Sequence, residues 1–240
     1  MKLSLIIPAY NEEERIAPFL ASIATYCAHN PDQIFEVIVV DDGSKDATAS
    51  VAKVAGSAIP RMRVISLSPN QGKGAAIQRG VMESQGDIVV FMDADGATDI
   101  IELPKMIKAL KNADVAIGNR WMDGAVTQRH SPLRAISGFV YRNYMKLFSL
   151  GDIDTMCGFK GYKIFVAKDL YKDLREMRWL FDTEIAYRAV QRRYTIKNFP
   201  IVWESKDGSK LDTFTLLKSA VQIFPLIRSI WVEEHRRAAS

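Results

Sequence analysis

The sequence predicts an α/β fold built on a mostly parallel, doubly wound sheet. Short apolar runs alternate with segments of helical length and spacing, and polar residues follow most of the apolar runs. Apolar runs bounded by turn residues are typical of strands buried on both faces, and their alternation with helices favours parallel pairing. The alternation continues to about residue 120, beyond which the pattern is less regular.

Five strands and four helices are expected in this first half of the chain. The predicted strands are Leu3–Ile7, Val37–Val40, Val64–Leu67, Ile88–Met92 and Val115–Ile117. The predicted helices are Glu12–Tyr26, Ser44–Ala55, Ala75–Ser84 and Ile101–Lys111, with a further helix at Trp179–Arg193. No repeat or linker interrupts the first half, so we expect a single domain.

Composition excludes several classes of protein. The chain has 240 residues, of which 48% are hydrophobic and 25% are charged, as in globular domains. Its net charge of +4 is too small to indicate nucleic-acid binding. Cys27 and Cys157 are too far apart for a disulfide scaffold, which favours a reducing, cytoplasmic location. The apolar stretch before Pro8 is too short for a signal peptide, and no spanning helix is expected.

Polar residues directly follow four of the predicted strands. They are Pro8, Tyr10, Asn11 and Glu12 after the first strand, Asp41 and Asp42 after the second, Asp93 and Asp95 after the fourth, and Asn119 and Arg120 after the fifth. The carboxyl ends of strands in an open parallel sheet face one crevice, where such folds bind ligands. Any one cluster also fits a turn or a helix cap, but four together predict a binding site.

The sharpest of these elements is the pair Asp93 and Asp95. In an extended backbone, residues i and i+2 point to the same side, so both carboxylates would reach one cation. Mg²⁺ and Mn²⁺ favour one or two carboxylates completed by water and substrate phosphates. Without a cation, some of the carboxylates among Asp41, Asp93 and Asp95 should have a pKa well above the ordinary value.

The segment Gly72-Lys73-Gly74 only partly matches a phosphate-binding loop. Ile77 occupies the third glycine position of a dinucleotide motif, and no Ser or Thr follows Lys73. Two interpretations stay open. The segment either leads into a helix and brings Lys73 and backbone amides towards a diphosphate, or it forms a purely structural turn.

Four motifs in succession resemble those of family 2 glycosyltransferases of the GT-A fold. They are Leu5-Ile6-Ile7-Pro8-Ala9-Tyr10-Asn11-Glu12, Val39-Val40-Asp41-Asp42-Gly43-Ser44, Asn70-Gln71-Gly72-Lys73-Gly74-Ala75 and Met92-Asp93-Ala94-Asp95-Gly96. Four later segments are especially similar to dolichyl-phosphate β-glucosyltransferases, and next to dolichyl-phosphate mannose synthases. They are Asp93-Ala94-Asp95-Gly96-Ala97-Thr98, Asp154-Thr155-Met156-Cys157-Gly158-Phe159-Lys160, Trp179-Leu180-Phe181-Asp182-Thr183-Glu184 and Gly208-Ser209-Lys210-Leu211.

The resemblance implies a role for each matching residue. The nucleotide-sugar site would comprise Pro8, Tyr10, Glu12, Asp41, Lys73 and Asp93, with Asp41 on the base and Asp95 on a Mg²⁺ or Mn²⁺ ion. Gly96-Ala97 departs from the Leu-Gln of the mannose synthases, which puts a metal ligand at residue 97 in doubt and points away from mannose. The implied catalytic set is Asp93, Asp95, Arg120, Arg134 and Lys210.

The second half of the chain is expected to bind the acceptor. The predicted acceptor-phosphate residues are Arg129, Arg134, Lys206, Ser209 and Lys210. A lipid phosphate is already an anion, so no general base is required, and it would attack the anomeric carbon with inversion. Asp182 and Glu184 remain open as a base, as sugar contacts, or as acidic residues favoured near a helix N-terminus.

Two stretches of the second half have apolar residues at helical spacing beside basic residues. They are Leu133, Ile136, Val140, Tyr144, Leu147 and Phe148 in the first, and Phe214, Leu217, Val221, Phe224, Ile227 and Trp231 in the second. Such helices pack on the core or on a partner copy in a homodimer, or lie at a membrane interface. Pro225 is expected to interrupt or end the second helix.

These observations lead to a predicted function. Residues 1–120 would bind UDP-glucose, residues 121–210 a polyprenyl (dolichyl) phosphate, and residues 211–240 would form a C-terminal amphipathic helix. The enzyme would be peripheral at the cytoplasmic face of a membrane. Alternatives are transfer of mannose or another hexose to the same lipid, transfer to a glycan hydroxyl, and a non-catalytic nucleotide-sugar sensor. A nucleotidyltransferase is disfavoured, since its glycine-rich loop is missing after the first strand.

Overall fold

The computed structural model describes residues 1–128, 132–206 and 213–239, without the side chains of 132–137, 213–220 and 238–239. The strands β1 to β9 are Leu3–Ala9, Glu36–Asp41, Met62–Ser66, Ile88–Met92, Val115–Asn119, Val126–Gln128, Phe159–Lys163, Ile196–Pro200 and Val202–Glu204. The helices α1 to α8 are Ile16–His29, Thr48–Ala55, Lys73–Glu83, Leu103–Leu110, Pro132–Met145, Ile164–Lys172, Phe181–Gln191 and Thr213–Ala239.

The central sheet has seven strands in the order β3-β2-β1-β4-β7-β5-β8. All pairings are parallel except those of β7, which lies antiparallel between β4 and β5. The direction of winding changes between β1 and β4, which places the expected ligand crevice beyond the carboxyl ends of these strands. The predicted mostly parallel α/β sheet is confirmed.

Both faces of the sheet are covered, as the continuous apolar runs predicted. Ile6 packs on the face covered by α3, α6 and α7, whereas Leu5 and Ile7 pack on the face of α1 and α4. This alternation follows from the two-residue period of a strand. The strands β6 and β9 form a separate parallel pair next to the sheet.

Helix boundaries differ from the predictions mainly at N-termini. The first helix starts at Ile16 rather than Glu12, because residues 12–15 form turns and Asn11 has a positive φ of 51°. The second starts at Thr48 rather than Ser44. Among the helices of the described residues, none is both long and apolar enough to cross a bilayer.

The expectation that Pro225 breaks the last helix is wrong. Helix α8 continues through Pro225, which removes one backbone hydrogen bond. Ile223 precedes the proline and Ile227 and Ile230 follow it, and all three are buried in the core. Tertiary packing on both sides of Pro225 therefore holds the helix continuous.

Candidate active site

A cavity of about 540 Å³ opens beyond the carboxyl ends of the central strands. Residues from all four predicted polar clusters line it. They are Pro8, Tyr10 and Glu12 after β1, Asp42 after β2, Asp93 and Asp95 after β4, and Arg120 after β5. Side chains from the second half of the chain close the other side. They include Tyr141, Arg142, Met156, Trp179, Asp182, Trp203 and Lys206.

Asp93 and Asp95 reach this cavity from a turn. Strand β4 ends at Met92, and the Gly96 amide donates to the Asp93 carbonyl at 3.4 Å. The Ala97 amide donates to Asp95 Oδ1 at 3.0 Å, and Gly96 has a φ of 67°, in the left-handed region. The predicted extended geometry is wrong, yet the turn brings both carboxylates to one wall of the cavity.

Asp93 is held between Lys73 and Gly158. Lys73 Nζ lies 2.5 Å from Asp93 Oδ1, and the Asp93 amide donates to the Gly158 carbonyl at 3.2 Å. A Cβ added at Gly158 would lie 2.0 Å from Asp93 Oδ2. Only glycine at position 158 therefore permits this orientation of Asp93.

The wall around these carboxylates is electrostatically suited to a divalent cation. Burial and the neighbouring Asp93 charge raise the pKa of Asp95, as predicted for a carboxylate pair without its cation. Burial alone would lower the pKa of Lys73, but the charges of Asp93, Asp182 and Asp95 raise it. Carboxylate oxygens are the hard ligands that Mg²⁺ and Mn²⁺ prefer, so the residues present fit such an ion.

The described residues do not by themselves form a complete set of metal ligands. Within the parts of the chain that the structure describes, no three His, Cys, Asp or Glu side chains come together in a way that could hold a metal. Mg²⁺ commonly keeps water and substrate phosphates beside one or two carboxylates, which is compatible with the pair Asp93 and Asp95.

The backbone amides at the start of α3 do not face a ligand. The Gly72 amide donates to Asp42 Oδ2 at 2.8 Å, and the Gly74 amide donates to the Met177 carbonyl at 2.8 Å. Of the two interpretations that the sequence left open, these hydrogen bonds favour the structural turn for the Gly72 and Gly74 amides. Only the Lys73 side chain of this segment presents a charge to the cavity.

The two aspartates after β2 have different surroundings. Asp42 lines the cavity and also accepts hydrogen bonds from Asn70 Nδ2 and the Gln71 amide, which holds the 70–72 loop in place. Asp41 is buried, accepts a hydrogen bond from the Ser44 amide at 3.1 Å, and is not part of the cavity lining. This placement does not support the predicted contact between Asp41 and the base.

Arg120 also lines the cavity, and its guanidinium is held in place by Asp154. Its Nε and Nη2 each donate to an Asp154 carboxylate oxygen at 2.8 Å, and its guanidinium lies 5.0 Å from the centre of the Trp203 ring. Burial opposes ionisation of Asp154, but the Arg120 charge outweighs it and lowers the pKa of this carboxyl group. A guanidinium held in this way is preorganised for an anionic oxygen.

The other predicted acceptor residues are only partly described. Lys206 lines the cavity, and its Nζ lies 2.5 Å from Glu204 Oε2. Arg129, Ser209 and Lys210 lie outside the described residues. Arg134 is on α5, but its side chain is likewise outside the described part. Their predicted contact with an acceptor phosphate stays a prediction.

Asp182 and Glu184 have different surroundings, although both lie in the first turn of α7. Asp182 lines the cavity and accepts a hydrogen bond from Lys160 Nζ at 2.8 Å. Glu184 is fully buried away from the cavity, where it pairs with Arg188 and accepts from the Glu176 amide. A role for Glu184 as a base or sugar contact is therefore not compatible with its position.

Several lining residues were not singled out from the sequence. Arg15 lies one turn after Glu12 and pairs with it at 2.6 Å, and its charge acts on Asp95. The i, i+3 spacing of Glu12 and Arg15 could have indicated from the sequence that Arg15 pairs with Glu12. Trp203 carried no such signal, because β9 is placed beside the cavity by tertiary contacts, namely its pairing with β6 and the hydrogen bond from the Glu204 amide to the Ala97 carbonyl.

Residues 4–171 match the model of glycosyl transferase family 2. This chain belongs to that family. As a family 2 glycosyltransferase, it is 34% identical over 232 residues to a dolichyl-phosphate beta-glucosyltransferase of Trichomonas vaginalis, covering 92% of this chain and 69% of the relative. It is 36% identical over 231 residues to the Drosophila melanogaster dolichyl-phosphate beta-glucosyltransferase, covering 89% and 70%.

Solved structures agree with the fold of this glycosyltransferase. One is Mycobacterium tuberculosis glucosyl-3-phosphoglycerate synthase in complex with Mg²⁺ and uridine-diphosphate, with a TM-score of 0.71 and 19% identity. The match covers 95% of this chain and 78% of that one. At this level of identity the likeness supports the GT-A-type fold and nothing finer. The predicted fold and the glycosyltransferase assignment are confirmed.

Proposed function

We propose that this enzyme transfers glucose from UDP-glucose to a polyprenyl phosphate, with inversion at the anomeric carbon. The observation that carries the proposal is a single cavity lined by Asp93, Asp95 and Lys73 and also by the Arg120 guanidinium, which Asp154 holds in place. A carboxylate pair that could hold a cation, together with Lys73 and Arg120, suits two anionic ligands, a diphosphate and an acceptor phosphate. The similarity to two dolichyl-phosphate beta-glucosyltransferases supports glucose and dolichyl phosphate.

The donor would occupy the side of the cavity formed by the ends of β1 and β4. Pro8 and Tyr10 offer an apolar and aromatic surface to the base. Asp95, with Asp93, would hold Mg²⁺ or Mn²⁺ against the diphosphate. When bound, such an ion supplies Lewis-acid stabilisation of the leaving group. Lys73 adds a positive charge on the same wall, paired with Asp93.

The acceptor would occupy the side of Arg120. A phosphate monoester is already an anion near neutral pH, so its oxygen attacks without prior loss of a proton. Arg120 would orient this oxygen and screen its repulsion from the donor diphosphate, since Asp154 holds the guanidinium in one position. Asp182 is then not needed as a base, in agreement with its pairing with Lys160.

A lipid acceptor also needs contact between the enzyme and a bilayer. Helix α8 buries Ile223, Ile227 and Ile230, while Val221, Phe224 and Trp231 are exposed on its other side. Arg228 shares that exposed side at helical spacing. Helix α5 contacts α8, exposes Phe139 and Val140, and lines the cavity through Tyr141. We propose that these exposed faces form a peripheral contact with the cytoplasmic face of a membrane.

The deciding experiment is a transfer assay. The purified protein is incubated with Mn²⁺ or Mg²⁺, a short polyprenyl phosphate and a panel of nucleotide sugars that includes UDP-glucose and GDP-mannose, and the lipid product is identified by mass spectrometry. We expect one added hexose with UDP-glucose and a β-linkage in the product. Transfer from another donor would correct the sugar, and transfer only to glycan hydroxyls would overturn the lipid acceptor.

A further inference from the structure

Lys160 is a fully buried cation that the proposed reaction leaves unexplained. It lies on β7, and only 1% of its surface is exposed. Its Nζ donates to Asp182 Oδ1 at 2.8 Å, to the Thr155 carbonyl at 3.1 Å and to the Cys157 carbonyl at 2.5 Å. An ammonium group has three donors, so these three acceptors satisfy it fully.

The three acceptors belong to two parts of the chain that line the cavity. Thr155 and Cys157 lie in the 153–158 segment, most of whose residues line the cavity. The same segment contributes Asp154, the partner of Arg120, and Gly158, which backs Asp93. Asp182 lies in the first turn of α7. Lys160, which does not itself line the cavity, therefore joins the 153–158 segment to α7.

Asp182 is the only one of these acceptors that is both a side chain and part of the cavity lining. Lys160 engages one of its two carboxylate oxygens, and a carboxylate has further acceptor capacity. A second negative charge would be repelled by Asp182, which already lies within electrostatic reach of Asp93. An uncharged donor of hydrogen bonds, such as a sugar hydroxyl, is the matching partner.

We propose that Lys160 is a positioning residue that holds the Asp182 carboxylate in place to accept a hydrogen bond from a hydroxyl of the transferred hexosyl group. This inference rests on the proposed function in that the donor is a nucleotide sugar. It does not depend on the acceptor, so binding of the donor tests it directly. The alternative is that the pair serves folding alone, as a neutralised buried ion pair.

Binding of UDP-glucose and of UDP, each with Mn²⁺ and without acceptor, separates these alternatives. We expect Asp182→Asn to weaken UDP-glucose binding roughly tenfold or more, as for a lost charged hydrogen bond, and to leave UDP binding within about twofold. Lys160→Met should give the same sugar-specific loss. The double variant should bind UDP-glucose no more weakly than either single variant, because both act through one contact.

A matched control is available on the same strand. Lys163 pairs with Asp114 at 3.0 Å and is not part of the cavity lining, so Lys163→Met should bind both ligands as the unmodified enzyme does. If Lys160→Met does not fold, as judged by circular dichroism, the binding of UDP-glucose and UDP to Asp182→Asn still tests the proposed contact with the sugar. Equal losses of UDP and UDP-glucose in Asp182→Asn would overturn the proposal.

Donor analogues that each lack one ring hydroxyl provide the second measurement. In the unmodified enzyme, the analogue lacking the contacted hydroxyl should bind about tenfold more weakly, and in Asp182→Asn this penalty should disappear. If Asp182→Asn still bound each analogue more weakly than UDP-glucose by the same factor as the unmodified enzyme, the contact between Asp182 and a sugar hydroxyl would be refuted. If the unmodified enzyme bound no nucleotide sugar at all, the proposed function itself would fail, which distinguishes the two failures.

Discussion

Gly158 decides where the Asp93 carboxylate lies, through the absence of a side chain. We predict that Gly158→Ala lowers kcat/KM by at least tenfold, because the new Cβ would displace a carboxylate that lies against Lys73. The cost in unfolding free energy should stay near 1–3 kcal/mol, as for other overpacked sites. Steady-state kinetics and urea unfolding measure the two effects. Unchanged kcat/KM would remove Asp93 from the reaction.

Asp95 is the residue on which the proposed metal site depends. We predict that Asp95→Asn abolishes the enhancement of UDP binding by Mn²⁺ in calorimetry. The fold should remain intact, because burial already disfavours the charge of this carboxyl group and raises its pKa. Asp32→Asn, an exposed site before β2, is the control and should retain the enhancement. A normal metal response in Asp95→Asn would contradict the assignment.

At the scale of elements, Arg188 fastens α8 to α7. Its guanidinium is fully buried and pairs with Glu184 at 2.9 Å, Glu233 at 3.0 Å and Glu234 at 2.8 Å. We predict that Arg188→Met lowers the unfolding free energy by about 3–5 kcal/mol, since it leaves the fully buried Glu184 carboxylate without its cation. Arg175→Met removes an exposed pair with Glu233 and should cost about 1 kcal/mol or less. If urea unfolding showed similar losses for Arg188→Met and Arg175→Met, the ion pairs of Arg188 would not be what holds α8 against α7.

The exposed side of α8 is the element on which membrane contact depends. Phe224 is 64% exposed, and we predict that Phe224→Glu reduces co-flotation with anionic lipid vesicles at least severalfold, because it places a charge at the interface. Val54 on α2 is 76% exposed, so Val54→Glu is a matched control that should bind vesicles normally. Equal binding by Phe224→Glu would exclude this face of α8 from membrane contact.

At the scale of the whole molecule, paired carboxylates make stability depend on pH. The pKa of five carboxyl groups is lowered in the folded state, because hydrogen bonds and cations outweigh the effect of burial. They are Asp46, Asp114, Asp154, Asp169 and Glu234. Such groups contribute stability above their unfolded pKa of about 4, and the contribution is lost as pH falls through the folded pKa.

We therefore predict that the unfolding free energy decreases steadily below about pH 4. Asp95 and Asp182 act with the opposite sign, because their folded pKa is raised, and their effect falls in the range above pH 4. Urea unfolding across this range measures the slope. Asp169→Asn should reduce the slope in acid, since Asp169 pairs with Arg192 and Arg237. A flat profile below pH 4 would contradict the prediction.

The sequence by itself determined the alternation of strands and helices in the first half of the chain and the chemical character of the cavity. Runs such as Ile88–Met92 have no polar residue, so they form strands only where both faces are covered. Because parallel strands share one carboxyl edge, the polar residues that follow them had to converge. The presence of Asp93, Asp95 and Arg120 around one cavity was predictable from this local information, whereas Lys73 follows no strand directly and its approach to the cavity stayed open.

Only the tertiary structure decided which side chain of each motif reaches the ligand space. Asp41 and Asp42 are neighbours in the sequence, as Asp182 and Glu184 nearly are, yet in each pair only one lines the cavity. Their orientations depend on distant partners, such as the Gly72 amide for Asp42 and Lys160 for Asp182. The same holds for Pro225, where core packing outweighs a local helix-breaking preference. Contacts between residues far apart in the chain have no local signature, so the sequence could not specify them.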